Sequence, residues 1–296
     1  MKAGIAPHHL HRRRFVAALA ASVPLAFAFP AHARIQENAW SPDDGLRLAG
    51  PVAGLETLDP ALSRDMPTNA IVRQLYRGLM GYDEELLPIP ELAESLDISP
   101  DQTTYTFVLR EDARFHDGRA VEAEDIAWSL ARALHPDTSM VSGLPLAGTT
   151  FLGDIAGADE VRAGEVETLS GVEIIDGRTV RITLAGPSTT FLMRLAAVPC
   201  SILDRTQDTG SPDWWLEPNG SGPYRVEALE PETELVLRAV DAWKGDGIAV
   251  DDVRVRLGMS ASAPENLLQN GDIDLLDDAY GPMVPLLTDP ATGLDG

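Results

Sequence analysis

Side chains over Thr104–Leu109 sort with a period of two: Tyr105, Phe107 and Leu109 on one side, Thr104, Thr106 and Val108 on the other. Successive residues of a strand point to opposite faces, so this spacing predicts a strand. Asp252–Leu257 repeats the pattern, with Val253, Val255 and Leu257 set against Arg254 and Arg256. Val172–Ile175 and Thr179–Leu184 flank Asp176-Gly177, which predicts a hairpin with a two-residue turn. A short strand begins at Leu46–Ala49. Another, Pro223–Val226, leaves the glycine-rich stretch Asn219–Gly222 and pairs with Glu234–Val240. Gly271–Leu275 reads as a buried strand. Helical spacing appears from Pro67 to Met80, where Ile71, Val72, Leu75 and Leu79 form one stripe and Gly78 and Gly81 mark the end. It returns over Glu122 to Leu134, with Ile126, Leu130 and Leu134 inward, and over Pro264 to Asn270. Phe115–Gly118 is a turn. Strands and helices mix without a regular βα beat, so the class is α/β or α+β, with no internal repeat.

The N-terminus follows a different rule. Lys2, Arg12, Arg13 and Arg14 precede an apolar run from Phe15 to Phe29, Pro30 breaks it, and Ala31-His32-Ala33 supplies a small-x-small exit. That order predicts a signal peptide over residues 1–33. The run spans 15 residues, short of the roughly 20 a bilayer core needs. Arg12-Arg13-Arg14-Phe15-Val16 fits a twin-arginine export signal, while His11 departs from its usual hydroxyl residue, so general secretory export stays equally open. The single cysteine, Cys200, is far from the cleavage point, which excludes lipid anchoring there and any internal disulfide. The expected product is soluble and periplasmic.

Charge narrows the partners. The chain of 296 residues carries 23 basic and 46 acidic side chains. Without residues 1–33, 19 basic and 46 acidic residues remain, a net charge of −27. Such a surface repels nucleic acid and anionic lipid. A secreted hydrolase needs a nucleophile with a base, or a metal. After export the only histidines are His116 and His135, which excludes the common His/Cys zinc sets, and there is no Gly-x-Ser-x-Gly elbow. His116 reads as a backbone-bonded turn residue, Trp214 and Trp215 as core, and Gly220 and Gly222 as a tight approach to a strand.

A set of short motifs runs through the chain in order: Leu58-Asp59-Pro60, Arg77-Gly78-Leu79, Pro90-Glu91-Leu92-Ala93, Tyr105–Arg110, Ala113–Gly118, Ala123–Ile126, Gly220–Tyr224 and Gly271–Asp274. Together they resemble the periplasmic oligopeptide- and dipeptide-binding proteins of ABC transporters, extracellular solute-binding family 5, over about residues 45–285. Ser221 stands where that family has Thr, and Glu122 where a helix-capping Thr is common. The resemblance implies a periplasmic-binding-protein-like II fold. It implies residues 34–80 and 205–285 as a discontinuous lobe I and 81–204 as a subdomain inserted in it. Residues 286–296 would begin a further lobe. The chain ends at Gly296, so the fold is expected to be incomplete, and residues 34–296 alone are expected to show no measurable peptide affinity.

The resemblance also implies the site. Ala53, Gly54, Leu55 and Glu56 would meet the ligand, with Gly54 allowing close backbone approach to an added peptide strand. Glu56 would face either a ligand ammonium or solvent. The second stretch is Asp277, Asp278, Ala279 and Tyr280, suited to a cationic or amino-terminal group or else a plain acidic loop. The expected ligand is a di- or oligopeptide or a related small solute, and the expected partner is an inner-membrane ABC permease. No cofactor, metal or catalytic residue is expected, and the protein is expected to be a monomer. A secreted hydrolase and a sensory binding protein on the same scaffold remain the alternatives.

Overall fold

The structure, a computed structural model, describes residues 45–275 apart from 52, 84, 208, 244–249 and 261–262. In chain order the elements are β1 (Leu46–Ala49), α1 (Met66–Leu75), β2 (Met80–Tyr82), β3 (Pro88–Pro90), β4 (Ala93–Ile98), β5 (Thr104–Leu109), α2 (Ala123–Arg132), α3 (Pro136–Ser142), α4 (Thr149–Leu152) and α5 (Ala158–Arg162). Then follow β6 (Val172–Asp176), β7 (Thr179–Thr183), α6 (Phe191–Leu195), β8 (Tyr224–Glu230), β9 (Glu234–Ala239), β10 (Asp252–Arg256) and α7 (Ala263–Gln269).

Two four-stranded sheets organise them. One has the order β1-β10-β9-β8, with β1 parallel to β10 and the other pairs antiparallel. The other has the order β4-β5-β7-β6 and is antiparallel throughout. A small third sheet joins β2 to β3. The period-two reading of β5 holds: Tyr105, Phe107 and Leu109 are buried. Tyr105 sits opposite Ile182 and Phe107 opposite Val180, so both strands turn the same face to the core. α2 covers β6 and β7 and contributes Ile126 and Leu130, which are fully buried. Each such side chain contributes about 1.5–3 kcal/mol through burial. A second core lies against the first sheet. It gathers Leu58, Val72 and Leu75 with Leu235, Leu237, Val253 and Val255.

Several boundaries differ from the sequence reading. α1 ends at Leu75, not at Met80. Tyr76 turns extended, Gly78 bridges Ser201, and Met80–Tyr82 goes into a strand. Strand pairing there satisfies backbone groups that a longer helix would have satisfied internally. Asp65 caps the other end through Thr68 N at 2.8 Å. α2 keeps a cap despite lacking a hydroxyl: the Asp125 carboxylate accepts from Glu122 N at 2.9 Å. The hairpin turn is Gly177-Arg178, one residue later than expected, because Asp176 pairs with Thr179. Gly271–Leu275 is not a strand. Ile273 is buried, while Leu275 is exposed and, among the described residues, makes one bridge, to Leu48. Residues 1–33, read as a signal peptide, lie outside the described residues. Among the described residues no helix is long and apolar enough to cross a membrane.

Candidate functional site

The segment between β1 and α1 is built around one carboxylate. Asp59 is 1% exposed at its side chain and forms a two-pronged ion pair with Arg132 of α2, at 2.6 and 3.0 Å. Its Oδ1 also accepts from Ala61 N, its own N–H donates to Thr57 Oγ1, and its carbonyl accepts from Leu62 N and Ser63 N. Arg132 lies over the rings of Trp128 and Trp214. Tyr76 is buried beside the pair; burial, then the Asp59 charge, push its hydroxyl pKa well above the ordinary value. Residues 57–63 therefore have one available course. Ala147 N donates to Ala61 O at 2.8 Å, which ties the approach to α4 to the same segment. Gly148 is needed there, because a Cβ would stand 2.3 Å from Ala133 O.

This anchoring opens a recess of about 280 Å³ at the start of α1. Arg64 and Asn69 form one side, Thr150 and Phe151 of α4 a second, and Val198 and Pro199 of a 3-10 turn the third. The Ser63 hydroxyl donates to Asn69 Oδ1 at 2.8 Å, which leaves the Asn69 amide N–H group to act as a donor. Met66 projects into solvent beside Arg64, 83% exposed. The recess combines apolar walls with a few polar groups, the usual make-up of a small-molecule site. Its three walls come from segments about 50 to 80 residues apart in sequence, so no local motif announces it. The one hint in the sequence is Arg64, a lone base following the Leu58-Asp59-Pro60 motif.

The expected loop 53–56 sits where β1 and β10 end side by side. In sheets with parallel strands that end is the usual place for ligands. Ala53 and Glu56 are exposed, whereas Gly54 and Leu55 are buried. Gly54 has φ +83°, and its close neighbour is the protein itself: a Cβ would stand 2.9 Å from Pro231 O. Leu55 N donates to Pro231 O at 2.9 Å and its side chain joins the core. The amide N–H groups of both residues are thus spent on internal bonds, since Gly54 N donates to Pro51 O. Asp277, Asp278, Ala279 and Tyr280 lie outside the described residues.

Other conspicuous residues hold the frame. His116 Nδ1 accepts from Gly220 N at 3.2 Å, Nε2 lies 3.1 Å from Gly222 O, and the backbone pairs with Gly220 again. Burial lowers the pKa of His116 and favours the neutral ring that this pattern requires. Gly220 and Gly222 press on the end of α1, where Gly222 N caps Leu75 O at 2.8 Å. Arg119 bridges Asp125 and Asp204, both almost fully buried, and Asn219 Nδ2 donates to Asp204 at 2.6 Å. Cys200 is buried, which pushes its thiol pKa up and leaves it unreactive. Among the described residues no group of His, Cys, Asp and Glu is arranged to hold a metal ion.

The sequence model described as bacterial extracellular solute-binding proteins, family 5 Middle, matches residues 88–293. The chain is 29% identical over 230 residues to the periplasmic oligopeptide-binding protein OppA of Escherichia coli K12, covering 76% of this chain and 41% of that protein. It is 28% identical over 248 residues to the glutathione-binding protein GsiB of Pectobacterium atrosepticum, covering 81% and 43%. The unliganded open form of the periplasmic murein tripeptide binding protein MppA matches with a TM-score of 0.73 and 25% identity, over 82% of this chain and 47% of that one. The chain spans about two fifths of the length of the curated relatives it matches.

Proposed function

The chain belongs to the bacterial extracellular solute-binding proteins of family 5, and from that membership we propose that it captures a peptide or peptide-like solute in the periplasm for an ABC importer of the inner membrane. The observation that carries this reading is the anchored recess beside α1, half apolar and fringed with donors. Relatives named for oligopeptide, glutathione and murein tripeptide binding support the ligand class. A wall of this kind holds an extended peptide by its backbone and admits one side chain into a hollow. Ala53 and Glu56 on the exposed loop, with Asp277, Asp278, Ala279 and Tyr280, are proposed as a further stretch of wall. Gly54 and Leu55 hold that loop from beneath. Transport then follows from closure of two lobes on the solute and docking of the closed form.

Capture is favoured over hydrolysis by what the histidines do. His116 has both ring nitrogens on the glycine loop, and His135 Nδ1 accepts from Asp137 N at 3.3 Å. Because the chain spans about two fifths of the length of its relatives, any affinity is expected to be too weak for calorimetry, so the reading is tested by covalent trapping: a tripeptide bearing a photoreactive aromatic residue is irradiated with the protein at millimolar concentration. Labelling should fall on fragments containing residues 63–69 and 146–151 and be competed away by unmodified tripeptide. Scattered labelling that competitor leaves intact would overturn the reading, and a cleaved tripeptide would replace it with a hydrolase.

A further inference from the structure

We propose that the recess beside α1 is selective for a carboxylate, so that the preferred solutes are acidic peptides. The inference rests on the reading of that recess as the solute site. Its starting point is a charge imbalance that runs against the rest of the molecule. Acidic residues outnumber basic ones two to one in this chain, 46 against 23. Yet among the described residues the recess is lined by Arg64 and by no carboxylate.

Arg64 is also uncommitted. Arg119, Arg132, Arg178 and Arg194 are each bonded to carboxylates, whereas Arg64 makes no ion pair or hydrogen bond among the described residues. Its neighbour Asp65 turns the other way, with Oδ1 accepting from Thr68 N as the cap of α1. A free guanidinium is the best-suited side chain for a two-pronged grip on a carboxylate. Asn69 adds a neutral donor, because its oxygen is already taken by Ser63. Thr150 adds an exposed hydroxyl. Phe151 and Pro199 supply apolar surface for the stem that carries the acid. At about 280 Å³ the hollow has room for an acidic side chain or a chain terminus.

The carboxylate could belong to an Asp or Glu side chain or to the peptide C-terminus, and the test separates them. Ligand-observed NMR compares Ala-Glu-Ala with Ala-Gln-Ala, each with a free or an amidated C-terminus. At low salt the peptide with the recognised carboxylate should bind roughly tenfold tighter than its neutral counterpart, the size of one charge-assisted bond in a half-exposed site. Arg64→Gln should bring that ratio to one, and Arg64→Lys should restore part of it. Added salt should compress it. The thermal midpoint of Arg64→Gln, an exposed position, serves as the folding control. Equal binding of acidic and neutral peptides, or a ratio that survives Arg64→Gln, would overturn the selectivity and leave solute capture standing. Absence of any saturable peptide binding, together with failed photolabelling, would overturn both.

Discussion

Changing Asp59 to Asn would leave the Arg132 guanidinium, 8% exposed at its side chain, without a counter-charge between Trp128 and Trp214. An unpaired buried charge is far costlier than the pair is favourable. Asp59→Asn should therefore lower stability by about 3 kcal/mol, read from urea unfolding. The double change Asp59→Leu with Arg132→Met should recover most of that loss, since apolar residues of similar volume replace buried ion pairs at little cost. A single variant within about 1 kcal/mol of the parent would mean the pair is well solvated. His116 makes a second case at this scale. Its folded pKa lies below the ordinary 6.5, first because burial disfavours the charged ring. The unfolded chain then binds the proton more readily than the folded one. Stability from this group is complete above about pH 6.5 and is lost as pH falls through the lower folded value. Asp154, Asp204 and Asp274 are all held below the usual carboxylate range, so they stay ionised in the upper part of that window. The thermal midpoint should fall between pH 7 and pH 5, and His116→Gln should flatten that slope.

The glycine loop and α1 behave as one element. A Cβ on Gly220 would stand 1.9 Å from Leu75 O, and one on Gly222 would stand 2.3 Å from Gln74 O. The loop is glycine-rich because it lies on the last carbonyls of a helix, which Gly222 N then caps. Gly220→Ala should cost about 2–3 kcal/mol, because backbone must move on one side or the other. Gly118→Ala is the comparison: φ is +93° but nothing stands within 4 Å, so only the conformational cost of about 1 kcal/mol applies. Thermal melts of the two variants should differ accordingly, and equal losses would mean the loop yields freely. At this scale much was legible in the sequence. The period-two strands β5 and β10 and the stripes of α1 and α2 lie where the apolar spacing puts them. What local spacing could not show was competition from distant partners. The Gly78 bridge to Ser201 ends α1 early, and among the described residues the stretch read as the strand Gly271–Leu275 makes a single bridge, from Leu275 to Leu48. Ala93–Ile98, an edge strand with mostly exposed residues, carries too little apolar signal to be seen.

The recess escaped the sequence for a related reason acting over the whole molecule. Arg64, Thr150 and Pro199 come together through separate long-range ties: Ala147 N donates to Ala61 O, and the turn at Pro199 is held beside α1 by the Gly78 bridge to Ser201 and the Ile202 N bond to Arg77 O. Apart from the lone base Arg64, no segment by itself points to the meeting. The loop 53–56 could be named from the sequence because the Leu58-Asp59-Pro60 motif that points to it is contiguous. The same long-range ties decide how the protein unfolds. The described residues form two cores, one under β5, β7 and α2 and one under the β1-β10-β9-β8 sheet. They lie within a single compact unit. The chain passes between them repeatedly: Leu58, Leu75 and Leu203 belong to one, Ala61, Leu79 and Ile202 to the other. The Asp59–Arg132 pair and the Ser129 bond to Leu203 N cross the same boundary. Neither core can open without stranding buried polar groups of the other, at about 1–3 kcal/mol for each neutral group and more for a charge. The described region should therefore unfold in one transition, with calorimetric and van't Hoff enthalpies equal. Asp59→Asn removes one of the crossing bonds and should broaden that transition as well as lower it. Two separate transitions in the parent protein would show that the cores fold independently and that the recess between their segments is held by neither alone.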